Sequence, residues 1–222
     1  MILGFDTSGP HCAAAVLADG AVLAASIEEM AKGQAERIMG LCEEVLAQAG
    51  AGYGDLAALA VGIGPGNFTG IRISVSAARG LALGLGIPAI PVSSFDLARA
   101  PGDFAAHDAE LVSVAAPRGA AFVQRYAQGR PVSAPEMIDP AAPPSSLQQK
   151  ELVVSGFAAD TLASVLGGRA LPDHSTPLPE HLVRIAAWKL AEGHDLDAPP
   201  APLYAKAPDA APGRDVPPKI LA

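Results

Sequence analysis

The sequence predicts an α/β protein built from two similar halves, on three observations. Strand-like runs alternate with helix-like runs along the chain, the pattern of mixed sheets covered by helices. The stretch "ELVSVAAPRGAAFVQRYAQG", starting at Glu110, lays over "MILGFDTSGPHCAAAVLADG", starting at Met1, as strand, Gly/Pro turn, strand and glycine. The chain has 222 residues, 50% of them hydrophobic, enough for one large domain or two small ones with real cores. Two βββαβα halves are expected, each a mixed sheet with helices, related by duplication and separated by a cleft. The expected lobes are residues 1–100 and 101–207.

In the first half, "MILGFDT" and "CAAAVLAD" are short apolar runs separated by the turn cluster "SGPH", and "AVLAASIEE" follows Asp19-Gly20, a strong hairpin signal. The period then changes. In "GQAERIMGLCEEVLAQAG" the apolar residues Ile38, Leu41, Cys42, Val45, Leu46 and Ala49 recur at helical spacing, with Gly50 as the stop. "LAALAVGIG" reads as a buried strand. It leads through a glycine-rich loop into a second helix beginning near Thr69, the expected N-cap. "IPAIPVSS" is a short strand that closes the half.

The second half repeats the opening hairpin and runs through the Pro-rich loop "PVSAPEMIDPAAPPSS". "ELVVSGFAADTLASVLGG" is then a strand passing through Gly156 into a helix, and "LPEHLVRIAAWKLAEG" is a helix by its period. Residues 208–222 are Pro-rich and poor in apolar side chains, so a disordered tail is expected there.

Composition narrows function. Fifteen Lys and Arg against 23 Asp and Glu give a net charge of −8, without the phosphate-neutralising surface that unaided nucleic-acid binding needs. Cys12 and Cys42 form no CxxC and suit a reducing compartment as buried apolar groups. The N-terminus meets an acid at Asp6, unlike a signal peptide, and Arg72 and Arg79 interrupt the longest apolar stretch. A cytoplasmic protein with no membrane association is expected.

Three segments carry a resemblance to a known family: "ILGFDTS", "GIGPGNFTGIRISVSAARGLA" at 62–82, and "PLYAKAPDA" near the C-terminus. Together they resemble the TsaB family, the partner proteins of tRNA threonylcarbamoyladenosine biosynthesis. The likeness covers residues 1–100 well, with only the last segment marking the second half. It implies two ribonuclease-H-like lobes, as in the actin, sugar-kinase and heat-shock-ATPase superfamily. It also implies a non-catalytic activating subunit that forms a heterodimer with a related TsaD-like catalytic subunit. The resemblance further implies that a small TsaE-like ATPase joins them and that tRNA is met only through the complex. For the protein alone, a monomer and a homodimer both stay open.

In that superfamily an acid at the end of the first strand positions a metal-nucleotide or water, and Asp6 stands where such an acid would be. A turn or cap role is the competing reading of a lone Asp after a strand. The duplication places Ala115 opposite Asp6, so the second acid is absent, and "VVSGFAAD" offers Ser155-Gly156, with Asp160 nearby, in place of a glycine pair. A degenerate nucleotide cleft is therefore expected, with vestigial contacts from Asp6, Thr7, Ser8, Asn67, Thr69 and Gly70. No cofactor of its own is expected beyond ATP or ADP held weakly or at a partner interface.

No catalytic residue and no metal site are expected. Among His11, His107, His174, His181 and His194 no two are spaced as helical metal ligands, and Gln34 stands where TsaB relatives often carry a histidine. His174 and His181 are expected on a solvated loop and a helix start. No GxSxG elbow occurs, so Ser8, Ser93 and Ser94 read as turn hydroxyls and Cys42 as packing. A stand-alone ATP-dependent kinase or transferase is the alternative function. A competent kinase would carry an acid and glycines where the chain reads "AAPRGAA"; a metallopeptidase is a third, weaker class.

"GPGNFTGIR" has no P-loop lysine, so its glycines either leave N–H groups for an anion or permit a close approach of backbone. The helix behind it carries one apolar stripe, Ile71, Val75, Ala78, Ala82 and Leu85, for the sheet. A second stripe of mostly small residues holds Ile73, Ala77, Gly80 and Gly84. Two helical glycines cost roughly 1 kcal/mol each against Ala, which is easiest to explain if another backbone packs there. That backbone belongs either to the first helix of the same chain, making the stripe core, or to a related protein. The resemblance favours the latter, with Ile38, Leu41 and Val45 of the first helix joining the partner interface.

Overall fold

Asp19 and Gly20, both at positive φ (50° and 78°), close the hairpin between residues 11–18 and 21–29. The computed structural model describes residues 1–99, 104–172, 179–194 and 198–205. The expected tail at 208–222 and His174 lie outside the described residues.

The first lobe contains β1 (Ile2–Asp6), β2 (His11–Ala18), β3 (Ala21–Glu29), α1 (Gln34–Gln48), β4 (Ala58–Gly62), α2 (Phe68–Leu85), β5 (Ala89–Val92) and the short α3 (Ser94–Leu97). Its sheet runs in the order β3-β2-β1-β4-β5, antiparallel at β1 and β2 and parallel from β1 through β4 to β5. Every residue of β1 and β4 is buried, which is why both read as continuous apolar runs and not as alternation.

The second lobe contains β6 (Glu110–Ala115), β7 (Ala121–Ala127), β8 (Arg130–Pro131), β9 (Glu136–Ile138), β10 (Val153–Gly156), α4 (Ala159–Leu166) and β11 (Arg169–Ala170). Its order β11-β10-β6-β7-β8 repeats that of the first lobe, with β6 in the place of β1, and β9 also pairs with β7. The expected duplication is thus present at the level of topology. The lobes differ in cover: the place of α1 is taken by a loop with one 3-10 turn, Ser145–Leu147, and α4 has 8 residues where α2 has 18.

Two departures from the sequence reading concern helices. The N-cap of α2 is Asn67, whose side chain accepts from Gly70 N at 2.9 Å, and not Thr69, which lies inside the helix. The last helix, α5 (Pro179–Ala191), belongs by sequence to residues 101–207 yet packs on the first sheet. Its Leu182, Val183, Ile185 and Ala186 bury against Ile2, Ala60 and Ile90, while Ile38, Leu41 and Val45 of α1 and Ile71 and Val75 of α2 cover the opposite face through Leu3 and Phe5. A sheet with two apolar faces needs cover on both. With α1 and α2 on one side, the first lobe recruits α5 for the other. His181, expected at a helix start, does stand in the first turn of α5, where this packing buries it to 3% exposure.

Candidate functional site

The loop after β1 and the loop before α2 meet at the mouth of the interlobe cleft. Asp6 ends β1 buried, and its carboxylate is occupied from within: Oδ1 accepts from Ser8 N at 2.9 Å, and Oδ2 from Ser8 Oγ at 2.9 Å, with His11 Nε2 also 2.9 Å away. These contacts fill three of the about four lone-pair positions a carboxylate offers. Asp6 is therefore a turn residue, the local reading of a lone Asp after a strand.

Thr7 is fully buried and donates to the carbonyl of Gly70 at 2.6 Å, and Asn67 N donates to Ser8 O at 2.6 Å. The loops lie so close that a Cβ on Gly70 would stand 1.8 Å from Thr7 O, and one on Gly62 would stand 1.9 Å from Asp6 Oδ1. The glycine-rich motif is thus explained by close approach of backbone. Thr7 and Gly70, expected as nucleotide contacts, are corrected: the hydroxyl of one and the N–H of the other are bound internally. Thr69 is exposed and does not line the cleft.

The cleft itself, about 530 Å³, is lined by Asp6, Ser8, His11, Gln34 and Asn67 on one wall and by Val114 and Ala115 on the other. Gln34 Nε2 donates to the carbonyls of Gly9 and Met30 at 3.3 and 3.2 Å, and Ser94 Oγ donates to Pro65 O at 2.7 Å. Among the described residues no lysine or arginine lines the cleft, and Ala115 stands at the end of β6 where the first lobe has Asp6. These residues do not fit a metal-nucleotide: the polar wall is satisfied by its own loops and the facing wall has no acid. His11 was missed as a partner of Asp6. The signal was there, since Asp6 ends one strand and His11 begins its antiparallel neighbour across a four-residue turn.

The partner stripe divides in two. Ile38, Leu41 and Val45 are at most 1% exposed in the core of the first lobe, so they form no outer surface and their place in the partner interface is corrected. The helical period identified the apolar face of α1, and the chain's own sheet covers it. On α2, Ile73 and Ala77 are half-buried beside α1, whereas a Cβ on Gly80 or Gly84 would meet nothing within 4 Å. Next to them Leu83 is 87% exposed. Beside the helix runs 198–205: Pro199 and Pro200 share a groove with Gly80 and Leu83, and Leu203 N donates to Ile63 O at 2.9 Å. Tyr204 stacks on Phe68 at 5.2 Å and accepts from Arg72 Nε at 2.9 Å. Exposed charge on α2 comes from Arg72 and Arg79, and on α1 from Glu36, Glu43 and Glu44 among others. Arg37 forks between Glu28 and Glu44, and its hydrogen bonds hold both carboxyls below the usual range.

Ser93, Ser94 and Cys42 take the structural parts expected of them: Ser93 caps α3 onto Asp96 N at 3.0 Å, Ser94 ties the loop at Pro65, and Cys42 is core. Both cysteines are free, and burial pushes the Cys12 thiol up to about 11. Among the described residues no helix is long and apolar enough to cross a membrane, and no group of three or more His, Cys, Asp and Glu could hold a metal ion.

Residues 24–167 match the family model described as TsaD: tRNA N6-adenosine threonylcarbamoyltransferase. The chain is similar to the tRNA threonylcarbamoyladenosine biosynthesis protein TsaB of Haemophilus influenzae, 40% identical over 115 residues. That match takes in 51% of this chain and 48% of that protein, so the chain spans about half the length of this curated relative in the alignment. An uncharacterized protein of Mycobacterium tuberculosis is 33% identical over 95% of this chain and 94% of its own length. In three dimensions the chain resembles YeaZ from Pseudomonas aeruginosa, with a TM-score of 0.65 at 25% identity, covering 91% of this chain and 98% of that one. The fold is the two-lobed actin-like one.

Proposed function

The chain belongs to the TsaD family of the matching model and, within it, is a TsaB-family protein, and from that premise we propose that it serves tRNA threonylcarbamoyladenosine biosynthesis as a non-catalytic activating subunit. Its partner is a related TsaD-like catalytic subunit, with a TsaE-like ATPase in the assembly and tRNA reached through the complex. The cleft holds no nucleotide of its own, because its polar wall is spent on internal hydrogen bonds and Ala115 faces it.

The observation that carries this reading is the outer face of α2. Gly80 and Gly84 stand open, and Leu83 is 87% exposed between them. A helix pays about 1 kcal/mol for each interior glycine, and among the described residues no atom comes within 4 Å of where a Cβ on either would stand. A second backbone laid along the face would gain, since it could approach as closely as two glycines allow and cover Leu83. The exposed arginines of α2 and glutamates of α1 add a charge pattern that would steer a partner of related surface.

Gly80→Arg tests it. The new side chain has free space and improves helix propensity, so the variant melts near the wild-type temperature. A long cation at the centre of a small apolar seam costs several kcal/mol, weakening the complex by ~1000-fold or more. Wild type and Gly80→Arg are mixed with the TsaD-like and TsaE-like proteins, tRNA, ATP and threonylcarbamoyl-adenylate, and modified adenosine is measured. The variant should neither co-elute with the TsaD-like subunit nor support modification. A folded, fully active Gly80→Arg protein sinks the proposal.

A further inference from the structure

Between the lobes lies a buried polar seam that the nucleotide cleft does not use. Asp96, in α3 at the end of the first lobe, receives Lys189 Nζ of α5 at 2.7 Å on Oδ2 and the Tyr126 hydroxyl of β7 at 3.2 Å on Oδ1, with Ser93 N and Oγ adding bonds at 2.8 and 2.9 Å. One carboxylate thereby joins a helix packed on the first sheet to a strand of the second. Burial alone would raise the Asp96 carboxyl, and Lys189 with the Ser93 donors outweighs it and holds it below the usual value.

A second pair crosses the same seam. Arg99, just after α3, donates through Nε to Glu110 Oε2 at 2.8 Å, and both side chains are at most 3% exposed. The guanidinium also donates to Phe104 O and lies 4.8 Å over the ring of Tyr126. The other Glu110 oxygen accepts from Ser155 Oγ of β10, and the Arg99 carbonyl is 3.1 Å from His181 Nε2 of α5. Phe95 and Ala98 fill the space between the pairs against Val112, Val114 and Tyr126.

We propose that this seam is a lock that holds the two lobes at one fixed separation, so that the cleft keeps a constant width and does not close on a ligand. Hinged closure needs a few connecting residues free to absorb rotation. Among the described residues of the connection, Asp96 and Arg99 are pinned by their own side chains: an opening at this point separates Tyr126 from Asp96 and Glu110 from Arg99. Tyr126 would then lose its carboxylate acceptor, and Arg99 and Glu110 would each lose the opposite charge, which is the costly outcome for a buried pair. The lock stands apart from the proposed partnership, since a rigid chain and a hinged one could both present α2.

The full-length chain tests the lock directly. Spin labels at the exposed positions Gln48→Cys and Lys150→Cys report the separation of the lobes, and the buried native thiols stay unlabelled. The parent gives a single narrow distance. Replacing one ion pair by Asp96→Asn with Lys189→Met adds a second, longer distance, and the milder Tyr126→Phe with Ser155→Ala broadens the first. Two distances in the parent overturn the lock. So does a folded seam variant that keeps the parent's single distance. If the ion-pair variant does not fold, the Tyr126→Phe, Ser155→Ala protein decides. Loss of tRNA modification with an unmoved parent distance bears on the partnership and not on the lock.

Discussion

The same hairpin occurs twice in this chain, and its two ends differ in chemistry. β1 ends in Asp6, held by Ser8 and His11 and backed by the glycine loop before α2; β6 ends in Ala115, followed by the turn Pro117–Gly119 with Arg118 at φ 63°. The first end is polar but occupied, and the second has nothing to offer. A cleft with one self-satisfied wall and one apolar wall supports the proposed reading, in which the chain has no catalytic site of its own. The lobes also differ in helices. The first carries α1 and α2 on one face and borrows α5 for the other, while the second makes do with α4 and a loop. The open helical face, with its exposed glycines, therefore belongs to the first lobe, and the second lobe acts as its buttress through the seam.

The strongest way to break this division of labour is to cut the tie from α5 to the seam. Lys189→Met leaves Asp96 as a buried charge without its cation, and the loss expected is about 3–5 kcal/mol near neutral pH. For a chain of this size that lowers the melting temperature by about 10 °C. The folded Asp96 carboxyl titrates below its unfolded value of 3.8, so the contribution is present above that pH and is lost as pH falls through the folded value. Melting temperatures of wild type and Lys189→Met should accordingly converge in acid. A constant gap down to the lowest pH would mean that Lys189 acts by packing.

A smaller effect separates the two kinds of glycine on α2. Gly70→Ala drives a methyl into Thr7 O and should cost about 3 kcal/mol, whereas Gly80→Ala meets open space and should add about 1 kcal/mol of stability. Denaturant midpoints measured on both variants check the opposite signs. If both destabilise, the outer stripe is core after all.

The smallest effect is expected from repairing the second hairpin. Ala115→Asp restores the acid opposite Asp6 at an exposed position, and stability should change by less than about 0.5 kcal/mol. Phosphate release with Mg²⁺ and ATP should stay at buffer background, since the first wall remains occupied. Turnover gained by this one substitution would show that only the missing acid keeps the cleft idle.

Much of this architecture was legible in the residues. Apolar runs bounded by turn signals and helical periods placed the first hairpin, α1, α2, β10 and α4 close to where they stand, because turn chemistry and side-chain spacing along a strand or helix are local properties. The match of Glu110 to Met1 also foretold that Ala115 would face Asp6. The failures share one physical cause. A stripe such as Ile38, Leu41 and Val45 says that a face is apolar but not what will cover it, and here the chain's own sheet does. The same limit hid the destination of α5, whose apolar face fits either sheet. Burial made Thr7 and Gly70 unavailable, yet both carry the right chemistry for a phosphate loop. The seam was invisible altogether: Asp96, Arg99, Glu110, Tyr126, Ser155 and Lys189 are ordinary polar residues scattered over half the chain. Their sequence neighbours carry no common motif. Folding brings them out of water together, and a charge that loses its solvent must find a partner in space, whatever its distance along the chain.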